Sequence, residues 1–155
     1  MPMGNTLPSE IAALLATIDP DAYAAGAQNS DWIDLGLFDQ VMAVIMAGTI
    51  GTGSTLDAKL TQATDSSGAG EKDITGKAIT QLTQAASDSD KQAIINCRAD
   101  ELDIANDFRF VRLVQTGGTG SPATSVDHSA VLFAFGARYE PASDGDLASV
   151  DEIVN

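Results

Sequence analysis

The side chains best suited to acid–base or nucleophilic chemistry are few and stand apart in this sequence. His128 is the single histidine and Cys97 the single cysteine among 155 residues. One histidine supports neither a paired-imidazole metal site nor a histidine relay, and one cysteine excludes a disulfide within the chain. His128 follows Asp127 in a Ser/Pro-rich segment and is predicted to be exposed in a loop. Cys97 lies in an apolar run and is predicted to be a small core residue.

Two further motifs that could carry chemistry are incomplete. Ser125 or Ser129 could be combined with His128 and an aspartate, but no stretch resembles the nucleophile elbow of a hydrolase. The glycines within 117–120 lie between two predicted strands with no helix after them, so they indicate a turn instead of a phosphate-binding loop. No catalytic residue and no cofactor are predicted.

Acidic clusters raise the question of a calcium site. The candidates are residues 88–90, 100–103 and 144–146. None has the twelve-residue EF-hand spacing with its terminal glutamate, so solvated carboxylates are the preferred interpretation and no metal is predicted. The sequence leaves open a pair of carboxylates that could hydrolyse glycosides. Aromatic platforms for sugars are scarce, because Trp32, Tyr23 and Tyr139 are the only Trp and Tyr residues.

The hydrophobic pattern of the chain has a period of two, which indicates β-strands. Strands must therefore position the candidate side chains described above. Along residues 55–64 one predicted face carries Leu56, Ala58 and Leu60, and the other carries Asp57, Lys59 and Thr61. The first face is predicted to lie on a core and the second to meet water. A Gly/Ser-rich break follows at 65–70. In a later strand Arg109 and Arg112 fall on opposite faces, where pairing with acids on neighbouring strands is expected.

Similar strand-and-turn units recur along the chain. The stretch 40–50 is apolar on both faces and predicts a central strand covered on both sides, with a buried helix as the alternative. Residues 51–54 then have the length of a hairpin turn. The segment 11–18 is a strand or two helical turns, and 19–30 is predicted to be turn and loop. Further strands are predicted within 30–34, 72–83, 91–98, 108–115 and 129–139, the last with Val131, Phe133, Phe135 and Ala137 on one face. Seven or eight strands without a long helix predict a mainly β chain, a sandwich or a barrel.

The charge distribution restricts the possible partners. The net charge is -14, and no lysine or arginine occurs before Lys59 or after Arg138. Such a field repels phosphate backbones and anionic membranes, so neither nucleic acid nor a membrane is an expected partner. A basic or neutral protein surface suits the charge, and solubility alone is the plainer explanation. No secretory signal and no apolar run long enough to cross a bilayer are found in the sequence.

The chain divides by composition into three parts. Residues 1–29 are an N-terminal arm and leading strand, 30–139 a β-sandwich domain, and 140–155 an acidic C-terminal arm. The two end segments carry spaced apolar side chains among polar and acidic ones. We expect these to dock on a neighbouring molecule, with a frayed tail or a short terminal helix as alternatives. The predicted interface residues are Leu7, Ile11, Leu147, Val150 and Ile153.

Several stretches resemble a known family. They are residues 56–65, 73–76 with 79–83, 108–114, and the closing Ala-Arg-Tyr-Glu-Pro-Ala at 137–142. Together, over roughly residues 30–142, they resemble the capsid decoration (cement) proteins of tailed bacteriophages. The resemblance implies a jelly-roll-like antiparallel β-sandwich with extended N- and C-terminal arms, placed on the outside of the head and often forming trimers at three-fold positions.

The expected function follows from that resemblance. It is a non-enzymatic virion protein that binds the outer surface of the capsid, contacts the major capsid protein as a homotrimer, stabilises capsomer junctions and assembles in the host cytoplasm. A carbohydrate- or receptor-binding β-sandwich, with Trp32 and Tyr139 at its groove, is one alternative. Another phage structural protein, at the head–tail connector or in the tail, is the other.

Overall fold

The computed structural model describes residues 4–118 and 124–155. Within these ranges the chain forms ten β-strands: β1 Ala12–Tyr23, β2 Gly26–Asn29, β3 Ile33–Asp34, β4 Phe38–Ile50, β5 Thr55–Ala63, β6 Lys72–Ala78, β7 Leu82–Thr83, β8 Gln92–Arg98, β9 Phe110–Gly117 and β10 Val126–Ala137. The helical elements are one turn of α-helix, α1 Pro8–Ile11, and three 3₁₀ turns at Ala99–Glu101, Ile104–Asn106 and Ala142–Gly145. The described residues therefore contain more strands than the seven or eight predicted. Residues 119 and 120 of the predicted glycine turn lie outside the described residues.

The strands form two antiparallel sheets. Sheet 1 has the order β1-β10-β4-β8, and sheet 2 has the order β2-β9-β5-β6, with β3 also paired to β9 and β7 to β5. Their inner faces form one core of small and aliphatic side chains. The predicted mainly β, jelly-roll-like antiparallel sandwich is confirmed in this arrangement. Among the described residues no helix has the length and hydropathy needed to span a bilayer.

The period-two pattern at residues 55–64 is translated directly into β5. Leu56, Ala58 and Leu60 are 0%, 2% and 0% exposed and face the core, as predicted. Thr61 is predicted to meet water but is buried, at 3% exposed, because it lies opposite Arg112 of β9 and the Glu71 carboxylate binds both side chains. Its hydroxyl donates a hydrogen bond of 2.8 Å to Oε1 of Glu71.

The segment 40–50 is a strand, β4, and the helical alternative is wrong. It is covered on one face only: Val41, Ala43 and Ile45 are buried, whereas Met46 on the other face is 45% exposed. The prediction of cover on both faces fails because no further layer of the described chain lies over the centre of sheet 1. The hairpin prediction for 51–54 also fails, since β4 and β5 belong to different sheets and the turn connects them across the sandwich.

The segment 19–30 contains strand where turn and loop were predicted. β1 continues through Pro20 to Tyr23, with a register shift against β10 between Ile18 and Asp21. Proline is tolerated there because β1 is the edge strand of sheet 1 and needs no partner on its outer side. Residues 26–29 form β2, which pairs with β9 at the edge of sheet 2.

Candidate functional site

His128 is a buried strand residue, and the prediction of an exposed loop histidine is wrong. It is 2% exposed because β10 alternates, with Val126, His128 and Ala130 turned to the core. Its Nδ1 lies 3.1 Å from Oε1 of Gln115, and its ring lies 4.6 Å from that of Tyr23. Burial lowers the pKa of His128 against the opposing effect of Asp127. Ser129, the next residue, points to the other face of the sheet, so no Ser–His pair forms.

Cys97 is a core residue, as predicted. It lies in β8 and is 1% exposed. Burial raises the pKa of its thiol to about 11, so the thiol stays protonated at neutral pH. A buried, protonated thiol is a poor nucleophile.

The acidic clusters stabilise loops. Asp88 accepts hydrogen bonds from the Thr83 amide at 3.0 Å and from Nζ of Lys91 at 2.6 Å, and these bonds lower its pKa. Asp103 accepts from Lys72 and Asn106, which lowers the pKa of that carboxyl in the same way. Within residues 4–118 and 124–155 no three His, Cys, Asp or Glu side chains are grouped so that they could hold a metal ion.

The two arginines of the β9 region pair with acids, as predicted, but only Asp34 lies on a neighbouring strand, since Glu71 precedes β6. Nη2 of Arg109 lies 2.5 Å from Oδ2 of Asp34, and Arg112 binds both carboxylate oxygens of Glu71 at 3.0 and 2.7 Å. The Arg112 guanidinium also lies 4.7 Å from the centre of the Trp32 ring. Trp32 is therefore partly covered on the sheet 2 side of the molecule.

Tyr139 is 78% exposed and follows the last strand of sheet 1. Of the two aromatics proposed for a sugar-binding groove, Trp32 precedes β3 of sheet 2 and Tyr139 follows β10 of sheet 1, so neither lies in a strand.

The outer face of sheet 1 carries apolar side chains in successive rungs. A rung is a row of residues aligned across neighbouring strands. The central rung contains Ile94, Val44, Val131 and Thr17, one from each strand of sheet 1. The rung on one side of it contains Asn96, Met42, Phe133 and Leu14, and the rung on the other side contains Gln92, Met46 and Ser129. None of these three rungs contains a charged residue. We call Leu14, Met42, Val44, Met46, Ile94, Val131 and Phe133 the apolar face.

The apolar face is only partly covered by its own chain. Ile94 is 58% and Met46 is 45% exposed. Monomeric proteins seldom leave a contiguous apolar surface in water without a use for it. Sequence reasoning missed Met42, Val44 and Ile94. The apolar residues on both faces of 40–50 were the signal for Met42 and Val44, and the consecutive Ile94 and Ile95 were the signal for Ile94.

The C-terminal segment runs along the free edge of sheet 1. The amide of Leu14 donates to Oδ1 of Asp146 at 2.7 Å, and the amide of Leu147 donates to the Leu14 carbonyl at 2.9 Å. These bonds pair the backbone amide and carbonyl of Leu14 at the outer edge of β1, where unpaired groups could bond to a strand of another chain. The 3₁₀ turn at Ala142–Gly145 precedes them and packs near Ala13 and Leu15.

The predicted interface residues are distributed around this edge. Val150 and Ile153 line a groove of about 290 Å³ together with Leu14 and Phe133 of the apolar face. Ile11 lines a second groove beside Glu140 and Pro141, and Leu147 is half-buried where it bonds to β1. Leu7 is the N-cap residue that precedes α1 and is 39% exposed. The structure thus brings both end segments to one region, and their docking on a neighbour stays a prediction.

Comparison with known proteins gives no family. No family model and no curated protein matches this sequence. Among solved structures, the chain is similar to part of the infectious bursal disease virus Gt strain structure, with 12% identity, a TM-score of 0.46, and cover of 85% of this chain and 33% of that chain. For the Gx strain of the same virus the identity is 15% and the TM-score is 0.38, with cover of 86% of this chain and 33% of that chain. The chain spans about a third of the length of the chains it matches, and likenesses this weak do not identify a function.

Proposed function

We propose that this protein is a non-enzymatic structural protein of a virion that binds the outer surface of a tailed-bacteriophage capsid and stabilises the junctions between capsid subunits. The observation that carries the proposal is the apolar face: three uncharged rungs of sheet 1 with Ile94 and Met46 about half exposed. The sequence resemblance over residues 30–142 supplies the kind of partner. The buried states of His128 and Cys97 support a role without bond-making chemistry.

The mechanism is adhesion by burial of apolar surface. Each Å² of apolar surface removed from water contributes about 25 cal/mol, and a stable interface buries about 800 Å² on each partner. The uncharged rungs supply an apolar centre, and the acidic surface around them favours a partner whose contact is rimmed by basic groups. Weak contacts repeated by the symmetry of a shell add up to strong retention.

The partners and placement of the proposal follow from the same features. The major capsid protein is the proposed partner, with the protein as a homotrimer on the outer surface, assembled in the host cytoplasm. The net charge of -14 disfavours the DNA-facing side of a shell. Leu7, Ile11, Leu147, Val150 and Ile153 are the proposed contacts of the end segments, beside the apolar face.

Purified heads that lack this protein provide the test. The full-length chain is added in increasing amounts, and the amount that sediments with the heads is measured. We expect saturable binding, at a fixed ratio to the capsid protein, and heads that withstand heating or dilution better than unoccupied ones. Absence of binding to heads would contradict the proposal. Binding to isolated tails or connectors instead would place the protein elsewhere in the virion.

A further inference from the structure

A second surface lies at the end of the sandwich where the chain passes between the sheets. It is a cleft of about 450 Å³, which we call the end cleft. Its deeper wall is formed by Leu35, Leu102 and Phe108, which are 4%, 7% and 9% exposed. Ile104, on a 3₁₀ turn, stands at the cleft with 59% of its surface exposed. An apolar wall with an exposed aliphatic residue is typical of a binding surface.

The end cleft also contains the one basic residue that has no acidic partner among the described residues. Seven of the eight lysines and arginines form ion pairs: Lys59, Lys72, Lys77, Lys91, Arg98, Arg109 and Arg112. Arg138 is the eighth, and it lines the end cleft. Arg109 lines it too but is held by Asp34, and Asp107 contributes an acid to the lining. The cleft therefore offers a free guanidinium beside an aliphatic wall.

The same chain carries a segment with the complementary chemistry. Residues 151–155 are Asp-Glu-Ile-Val-Asn, and all five are exposed. Ile153 and Val154 are 44% and 83% exposed, and no hydrogen bond or ion pair ties residues 151–155 to the rest of the described chain. In an extended chain, residues two apart share a side and lie about 7 Å apart. Glu152 with Val154 would thus present a carboxylate and an aliphatic group together.

We propose that the end cleft binds residues 151–154 of a second copy of this chain, with a carboxylate on Arg138 and an aliphatic side chain on the wall beside Ile104. Charge complementarity selects this occupant, because Arg138 is the free cation in a chain whose net charge is -14. The structure keeps this segment of its own chain elsewhere, so a second copy is the proposed occupant. Val150 and Ile153 line the groove beside Phe133, and no residue of 151–154 lines the end cleft.

A contact of this type joins two different surfaces and is therefore heterologous. Such contacts close into rings when the rotation between copies permits. A ring of three would accord with the proposed homotrimer, but the contact itself does not depend on capsid binding. The two proposals can therefore fail separately.

The experiment measures self-association of the full-length chain by sedimentation velocity over a range of concentrations. The variants are Arg138→Glu, the double change Asp151→Lys with Glu152→Lys, and the combination of all three. Arg98→Glu is the control for charge reversal, because Arg98 is an exposed cation on β8 that does not line the end cleft and is paired with Asp100 instead. All positions are exposed, and thermal melting checks that each variant is folded.

We expect the natural chain and Arg98→Glu to associate alike. Arg138→Glu and the double change should each weaken association at least about tenfold, and the combination should restore it by exchanging the charges. A peptide of residues 147–155 should compete with association and shift the NMR signals of Leu102 and Ile104.

Four results would overturn the inference. One is a chain that stays monomeric at every concentration, and another is Arg138→Glu behaving as Arg98→Glu does. The third is a monomer whose residues 151–154 are protected from hydrogen exchange only when Arg138 is present, which would show docking within one chain. Binding of decanoate in the cleft without binding of the peptide would likewise replace a second copy by a small carboxylate ligand.

Discussion

Met46→Ser tests whether the apolar face is the binding surface, and Leu37→Ser is its matched control. Both natural side chains are large, apolar and 45% exposed, but Met46 is on the outer face of β4 and Leu37 precedes that strand, outside the apolar face. Replacing either side chain with serine removes a similar amount of partly buried apolar surface. Their costs in folding stability should therefore be similar, so a difference in binding reports the position alone.

The size of the effect follows from the exposed fraction. Full burial of a methionine side chain contributes about 2.5 kcal/mol, within the usual range for large apolar residues. The 45% that a partner can still bury is then worth about 1.1 kcal/mol, or about sixfold in affinity. Ile94→Ser removes a side chain that is 58% exposed, worth about 1.5 kcal/mol, so the two changes together should weaken binding roughly 70-fold.

The assay is occupancy of purified heads as a function of free protein concentration, with urea unfolding of each variant measured in parallel. Met46→Ser should shift the binding midpoint, the Met46/Ile94 double variant should shift it further, and Leu37→Ser should leave it unchanged. Equal shifts for Met46→Ser and Leu37→Ser, or no shift for the double variant, would refute the assignment of the apolar face.

The other predictions concern the core and the C-terminal segment. Burial lowers the pKa of His128, so the unfolded chain binds a proton that the folded chain resists. The free energy of unfolding contributed by this group is therefore complete above roughly pH 6.5 and decreases as the pH falls below it, by at most about 1.4 kcal/mol per pH unit. Urea unfolding between pH 7.5 and pH 5.5 should show a steeper loss for the natural chain than for His128→Gln, and equal slopes would contradict the buried neutral imidazole. Removal of residues 140–155 should lower the occupancy of heads, since it uncovers the edge of β1 at Leu14 and deletes Val150 and Ile153. Asp146→Ala, which deletes one hydrogen bond to Leu14, should have a smaller effect. Unchanged occupancy for both variants would argue against a contact role for the segment. Cys97 should not react with a thiol reagent at pH 8 until the protein is unfolded in urea, because its pKa is raised to about 11; rapid labelling of the folded chain would place the thiol at the surface.

The local sequence pattern was sufficient to predict individual strands. Leu56, Ala58 and Leu60 alternate with polar residues, and such alternation is compatible only with a strand that is wet on one face. The burial of Cys97 and the acid partners of Arg109 and Arg112 were predicted from the same kind of pattern. These are properties of one strand and its immediate surroundings, so a short stretch of sequence contains them.

Long-range pairing could not be predicted in the same way. The four residues after β4 have the length and composition of a hairpin turn, yet they connect two sheets, because the partners of β4 are β8 and β10. His128 has polar neighbours in the sequence, and its burial depends on Gln115, a residue of the opposite sheet.

The apolar face was misread for a physical reason. An apolar run such as 40–50 indicates that both faces of a strand avoid water, but it does not distinguish cover by the same chain from cover by a partner. Only the topology shows that sheet 1 has no layer over Val44 and Ile94, and so turns a predicted core strand into a candidate binding surface.

Imaging of the intact particle that contains this protein would show which surface of the sandwich contacts the capsid. We expect a sandwich on the outer surface of the head at subunit junctions, with Val44, Met46 and Ile94 turned towards the capsid protein and shielded from water. A sandwich located in the tail, or one on the head whose sheet 1 faces the solvent, would contradict this expectation.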